Sequence, residues 1–180
     1  MKAVKLAMAF ALVAAIFCGG QKAEAPKAED PTAGMPAFAF EPITETEGQK
    51  FFTALPGVAA ALKAAEYAPE EKEGEEIPAA LNRVVGGMEE VAGVKEALEQ
   101  SGTSWAEFGP TMHKVMAASA AFTLDMAVSM SEQLSDDTEE GKEMMAEIEK
   151  AKAFCAKVPQ ENRQFIVQNM DKLEALNDVN

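Results

Sequence analysis

The stretch Ser-Trp-Ala-Glu-Phe-Gly-Pro-Thr-Met-His-Lys-Val-Met-Ala-Ala-Ser-Ala-Ala-Phe-Thr-Leu-Asp-Met, residues 104–126, decides the fold class. Trp105, Phe108, Met112, Val115, Ser119, Phe122 and Met126 recur at alternating steps of three and four, the spacing that lines side chains along one face of an α-helix. Ser104 and Glu107 have the arrangement of a capping box at its start. The run from Ala117 to Ala121 is small throughout, so a neighbouring backbone can approach it closely. Such a seam predicts a helix packed by two or more neighbours in a bundle.

Neighbours of the right kind lie on both sides. Toward the N-terminus, Thr44 and Glu47 offer another capping box, and Phe51, Phe52, Leu55, Val58 and Leu62 then predict a first helix running to about Glu66. Pro56 lies inside it and lacks the N–H of the ladder, which predicts a kink or two short helices meeting at Leu55. Leu81, Val84, Val85, Met88, Val91, Val94 and Leu98 mark a second helix ending near Ser101 and Gly102. Gly86, Gly87 and Gly93 are its weak points, each permitting a close contact or a break. Between the two helices, the acidic residues from Pro69 to Pro78 read as an exposed loop. Toward the C-terminus, a fourth helix is expected from Asp136–Thr138, carrying Met144, Met145, Ile148, Ala151, Cys155 and Val158. Pro159 then opens a fifth, with Ile166, Met170, Leu173 and Leu176 as its buried stripe. No segment alternates with the period of a strand. The expected fold is therefore all-α, a bundle of about five helices spanning residues 43–180.

The bulk numbers fit one such domain. The chain has 180 residues, 48% hydrophobic and 26% charged, ordinary content for a folded protein. Its formal net charge of -14 makes nucleic acid an unsuitable partner, since binding a phosphate backbone needs a dense Lys/Arg face. The same field repels anionic headgroups, so contact with a membrane requires an apolar anchor in place of a basic patch.

The N-terminus supplies a candidate anchor. Lys2 and Lys5 precede an apolar run from Leu6 to Phe17, and Cys18-Gly19-Gly20 closes it before a stretch rich in Ala, Lys, Glu and Pro. This is the charged, apolar, small-residue profile of an export signal. The run is about half of the roughly 20 residues that a spanning helix needs, which argues against a permanent transmembrane segment. Removing the signal leaves roughly 140 residues able to fold, within the single-domain range. Residues 1–17 are thus expected to be a cleaved signal peptide, and residues 18–42 a flexible linker. Phe38 and Phe40 interrupt the linker composition and are expected to pack on the domain.

The first 20 or so residues resemble a bacterial lipoprotein signal peptide, with Ala15-Ile16-Phe17-Cys18 in the place of its lipobox. Leucine is usual where Ala15 stands, and glycine or alanine where Phe17 stands. The resemblance implies that Cys18 is lipidated and becomes the first residue of the mature protein. It also implies, with Gly19 in place of an aspartate, an outer-membrane destination in a diderm bacterium. Ordinary cleavage after Gly20 or Ala25 is the alternative processing. The helical segments, with Val158-Pro159-Gln160-Glu161-Asn162 leading into the last, also loosely resemble exported all-α bacterial proteins of uncharacterised families. That likeness carries over no functional residue.

Candidate chemistry is sparse. His113 is the single histidine, and with Met112 and Met116 nearby on the same helix it forms a weak metal or haem ligand set. A surface or boundary role fits it better. Of the eleven methionines, those on the helices mostly fall at core positions, where thioethers fill gaps. Cys155 lies on an apolar helical face and reads as an inert buried thiol; only His113 could serve it as a base, and Lys152 is the basic residue one turn away. Glu75-Glu76, Asp136-Asp137 and Glu139-Glu140 lack a calcium-loop pattern and sit where carboxylates favour the positive end of a helix. The sequence therefore predicts no cofactor and no catalytic residue. It predicts an exported, lipid-anchored cell-envelope protein on the periplasmic side, non-enzymatic, binding a protein partner or serving a structural role. The alternative is a small-ligand, haem or metal carrier with a cavity between its helices.

Overall fold

Helix α1 (Glu45–Ala64) begins where the capping box stands: Thr44 Oγ1 accepts the Glu47 N–H at 3.2 Å, and Glu47 Oε2 accepts the Thr44 N–H at 2.7 Å. The computed structural model describes residues 30–173 apart from 71, 73 and 132–138, and among these the protein is all-helical. Cys18 and the whole N-terminal pattern, Asp136, Asp137 and Leu176 lie outside the described residues.

Helix α1 runs unbroken across Pro56, so the two short helices expected to meet at Leu55 are one. Pro56 stands on the exposed side, where the Phe52 carbonyl it leaves without a ladder partner can be met by water. The second predicted helix is divided instead. Helix α2 (Ile77–Glu89) carries Pro78 in its first turn, and α3 (Val94–Gln100) follows after a break in which Gly93 takes φ 90°, a left-handed conformation that a side chain would disfavour. Gly87 does the other job open to a glycine. A Cβ there would lie 2.5 Å from the Tyr67 hydroxyl, which donates to the Val84 carbonyl at 2.9 Å and ties the end of α1 to α2.

Helix α4 (Trp105–Ser131) is the axis of the bundle, packed by α1, α2, α5 (Glu139–Lys157) and α6 (Gln160–Gln168). Its first turn uses half of the expected capping box: Glu107 Oε2 accepts the Ser104 N–H at 3.1 Å, while the Ser104 hydroxyl also donates to that carboxylate. Phe108, Met112 and Val115 are buried as the seam predicts. Beyond them the buried face shifts to Ala117, Ala118, Ala121, Leu124 and Val128, and Met126 ends 49% exposed. Met126 stands about five full turns beyond Phe108 and so on the same side of the helix, whereas Ala117, Ala121, Leu124 and Val128 lie on the opposite side: the seam side is covered at Phe108 and Met112 and left open at Met126.

Helix α5 buries Ile148, Ala151, Phe154 and Cys155. The last predicted helix is split into α6 and the single turn α7 (Met170–Leu173), because the Asn169 side chain donates to the Phe165 carbonyl at 2.9 Å, in place of the backbone N–H that would continue the ladder. Of its expected stripe, Ile166 is buried, while Met170 and Leu173 are half-buried.

Ahead of α1, residues 30–43 form a strap across the bundle. Ala37–Phe40 is a single 3-10 turn packed on α4, with Ala39 fully buried. Phe38 meets the His113 ring edge-on at 5.6 Å, and Phe40 meets Phe154 at 6.1 Å, so part of the stretch read as linker belongs to the folded body.

Candidate functional site

The polar side chains that the bundle buries are the natural place to look for chemistry. Lys114 is 3% exposed on α4, yet its ammonium donates to Glu47 Oε1 at 2.7 Å and to the Pro42 carbonyl at 3.2 Å. Burial pushes the Glu47 carboxyl up, but the bonds from Lys114 and Thr44 outweigh it and hold the group below the usual carboxylate range. One carboxylate thus completes the α1 cap and neutralises a buried cation. On α6, Asn162 is fully buried: its Oδ1 accepts the Ile43 N–H at 2.7 Å and its Nδ2 donates to the Glu41 carbonyl at 2.9 Å. A single amide therefore satisfies both a donor and an acceptor of the extended backbone entering α1.

A second polar group joins α4, α5 and α6. Arg163 Nη1 donates to Asp125 Oδ2 at 2.6 Å, and the Cys155 thiol donates to the Ala121 carbonyl at 3.4 Å. Burial pushes that thiol up to about 12, with the Asp125 carboxylate adding to the rise; Arg163 opposes it without compensating. The basic neighbour that matters is Arg163, since Lys152 pairs with Glu149 at 3.2 Å. Cys155 should accordingly resist a thiol reagent such as Ellman's at pH 8 in the native protein and react fully once denatured. The native thiol keeps its proton to about pH 12, whereas an unfolded thiol loses it near about 8.5. The associated stability is intact below the unfolded value and declines as pH rises toward the native one. Cys155→Ala should flatten that alkaline decline in denaturation midpoints. Rapid native labelling at pH 8 would contradict the assignment.

The weak metal set is not brought together. Met112 is fully buried in the core, Met116 is half-buried against it, and His113 faces the strap with its Nδ1 3.0 Å from the Gly109 carbonyl. No group of three or more His, Cys, Asp or Glu side chains suited to a metal occurs among the described residues. Of the acidic pairs, Glu75 makes a bidentate ion pair with Arg83, and Glu76 is the N-cap residue of α2 without a side-chain capping bond.

Sequence reasoning missed Lys114, Asn162, Asp125 and Arg163. A signal existed for Lys114, which heads the small-residue face continued by Ala117, Ala118 and Ala121 and so had to be buried. Compared with known proteins, the chain matches no family model, no curated protein and no solved structure.

Proposed function

We propose that this chain is an exported lipoprotein of the bacterial cell envelope, anchored by a lipid on Cys18, whose helical bundle is a non-catalytic module that binds a protein partner or fills a structural role. The observation that carries the reading is the N-terminal pattern: Lys2 and Lys5, the apolar run Leu6 to Phe17, then Cys18-Gly19-Gly20. The acidic net charge of -14 is consistent with attachment through an acyl chain in place of a basic surface. The non-catalytic part is supported by what the polar groups of the bundle do: buried Lys114 and Asn162 and half-buried Arg163 hold elements together, and the Cys155 thiol is kept protonated. No helix among the described residues is long and apolar enough to cross a membrane, and an acyl anchor requires none.

Fractionation tests the anchor. In a diderm host, the wild-type protein should pellet with membranes and leave them only with detergent, whereas Cys18→Ala should lose acyl labelling and either accumulate with its signal attached or appear in the soluble periplasm. Equal acyl labelling of the two proteins, or wild type wholly in the soluble fraction, would overturn the reading.

A further inference from the structure

The strap is held as a bound peptide is held. Asn162 on α6 bonds the Glu41 carbonyl and the Ile43 N–H, Lys114 on α4 bonds the Pro42 carbonyl, and Asn82 on α2 donates to the Gly34 carbonyl at 2.7 Å. All three side chains address main-chain atoms, which any sequence presents. Selectivity comes from the side chains between them: Phe38 against His113, Phe40 against Phe154, and Ala39 fully buried. Main-chain bonds for affinity with pockets for spaced side chains is the general logic of peptide recognition.

The strap is also separable from the helix it precedes. The α1 cap is closed by Thr44 and Glu47 alone, and the bond from Lys114 to Glu47 uses no atom of residues 30–43. Residues 30–43 can leave the surface while α1 stays capped.

We infer that the groove between α2, α4, α5 and α6 is a peptide-binding site occupied in cis by residues 35–43, and that it accepts from a second polypeptide a segment with two aromatic residues flanking a small one. This deepens the protein-binding part of the proposed function and does not depend on lipidation of Cys18. The cis segment lowers the apparent affinity for a competitor by the fraction of time it is docked, so a partner must present a better-fitting segment or meet a released strap.

The test uses the full chain carrying Phe38→Ser and Phe40→Ser, with a fluorescent synthetic peptide of residues 35–44 read by anisotropy. The variant should keep its helical circular dichroism and bind the peptide on the order of ten-fold more tightly than wild type, whose groove is filled. Adding Asn162→Leu, or replacing both phenylalanines in the peptide by serine, should abolish binding. Hydrogen exchange on the wild-type chain should show the amides of Ala39, Glu41 and Ile43 opening at least about ten-fold faster than those of α4, as a unit that releases before the core does. Four results would overturn the inference: no tighter binding by a folded variant than of a scrambled peptide, binding that survives Asn162→Leu, equal protection of strap and core, or loss of helicity in the double variant. None of them bears on Cys18, whose processing is read separately by acyl labelling.

Discussion

Phe108→Ala should destabilise the bundle by about 3–5 kcal/mol, the range for deleting a buried aromatic ring. Phe108 is 1% exposed and stacks on Phe51 with centroids 5.0 Å apart and planes 16° from parallel, while Trp105 covers its other flank at 5.9 Å. The ring joins α1 to the first turns of α4, and rigid helices on both sides would close little of the void. Since domains of this size are stable by only about 5–15 kcal/mol, the variant should melt roughly 10–20 °C lower and unfold at much lower urea. Phe108→Leu, which keeps most of the volume, should lose distinctly less. A loss below about 1 kcal/mol for the alanine variant, by urea denaturation, would mean that Phe108 is not at the junction described.

Asn162→Leu should cost about 2–4 kcal/mol although leucine branches at the same carbon with the same number of heavy atoms, because it removes two hydrogen bonds and leaves the Ile43 N–H and Glu41 carbonyl without partners. Asn162→Asp separates the two bonds. The carboxylate can still accept from Ile43 N–H, but its other oxygen would face the Glu41 carbonyl with no proton to donate, and a fully buried charge would need a partner. It should therefore be no better than leucine at neutral pH and should recover in acid, where protonation restores a donor. Hydrogen exchange locates the effect: both variants should lose protection first at Ile43, with the middle of α4 least affected. Wild-type stability in either variant would remove the amide clamp from the account.

What was legible in the sequence is what is local. The Thr44 and Glu47 cap needs only residues three apart, and the helices rest on three- and four-residue steps that any neighbour would exploit. Gly93 was legible as a weak point for the same reason, though periodicity did not choose it over Gly86 and Gly87 as the place of the break. Met126 misled because periodicity says on which side of a helix a residue stands, not whether a neighbour covers that side at its level. The split at Asn169 turned on a side chain that competes with the ladder, a choice that periodicity does not register. The clamp was illegible for a different reason. Ile43 and Asn162 are 119 residues apart in sequence, and Lys114 lies 72 from Pro42, so only the packed topology brings the partners together. The candidate anchor is the reverse case, carried entirely by consecutive residues around Cys18.

Mass spectrometry of the N-terminal peptide, from protein produced in a bacterial host with a lipoprotein pathway, reads the processing at Cys18 itself. A lipid-anchored protein should give a mature chain starting at Cys18 with a diacylglyceryl group on its sulfur. An intact Met1 followed by the unprocessed apolar run, or an unmodified N-terminus beyond Cys18, would contradict the anchor.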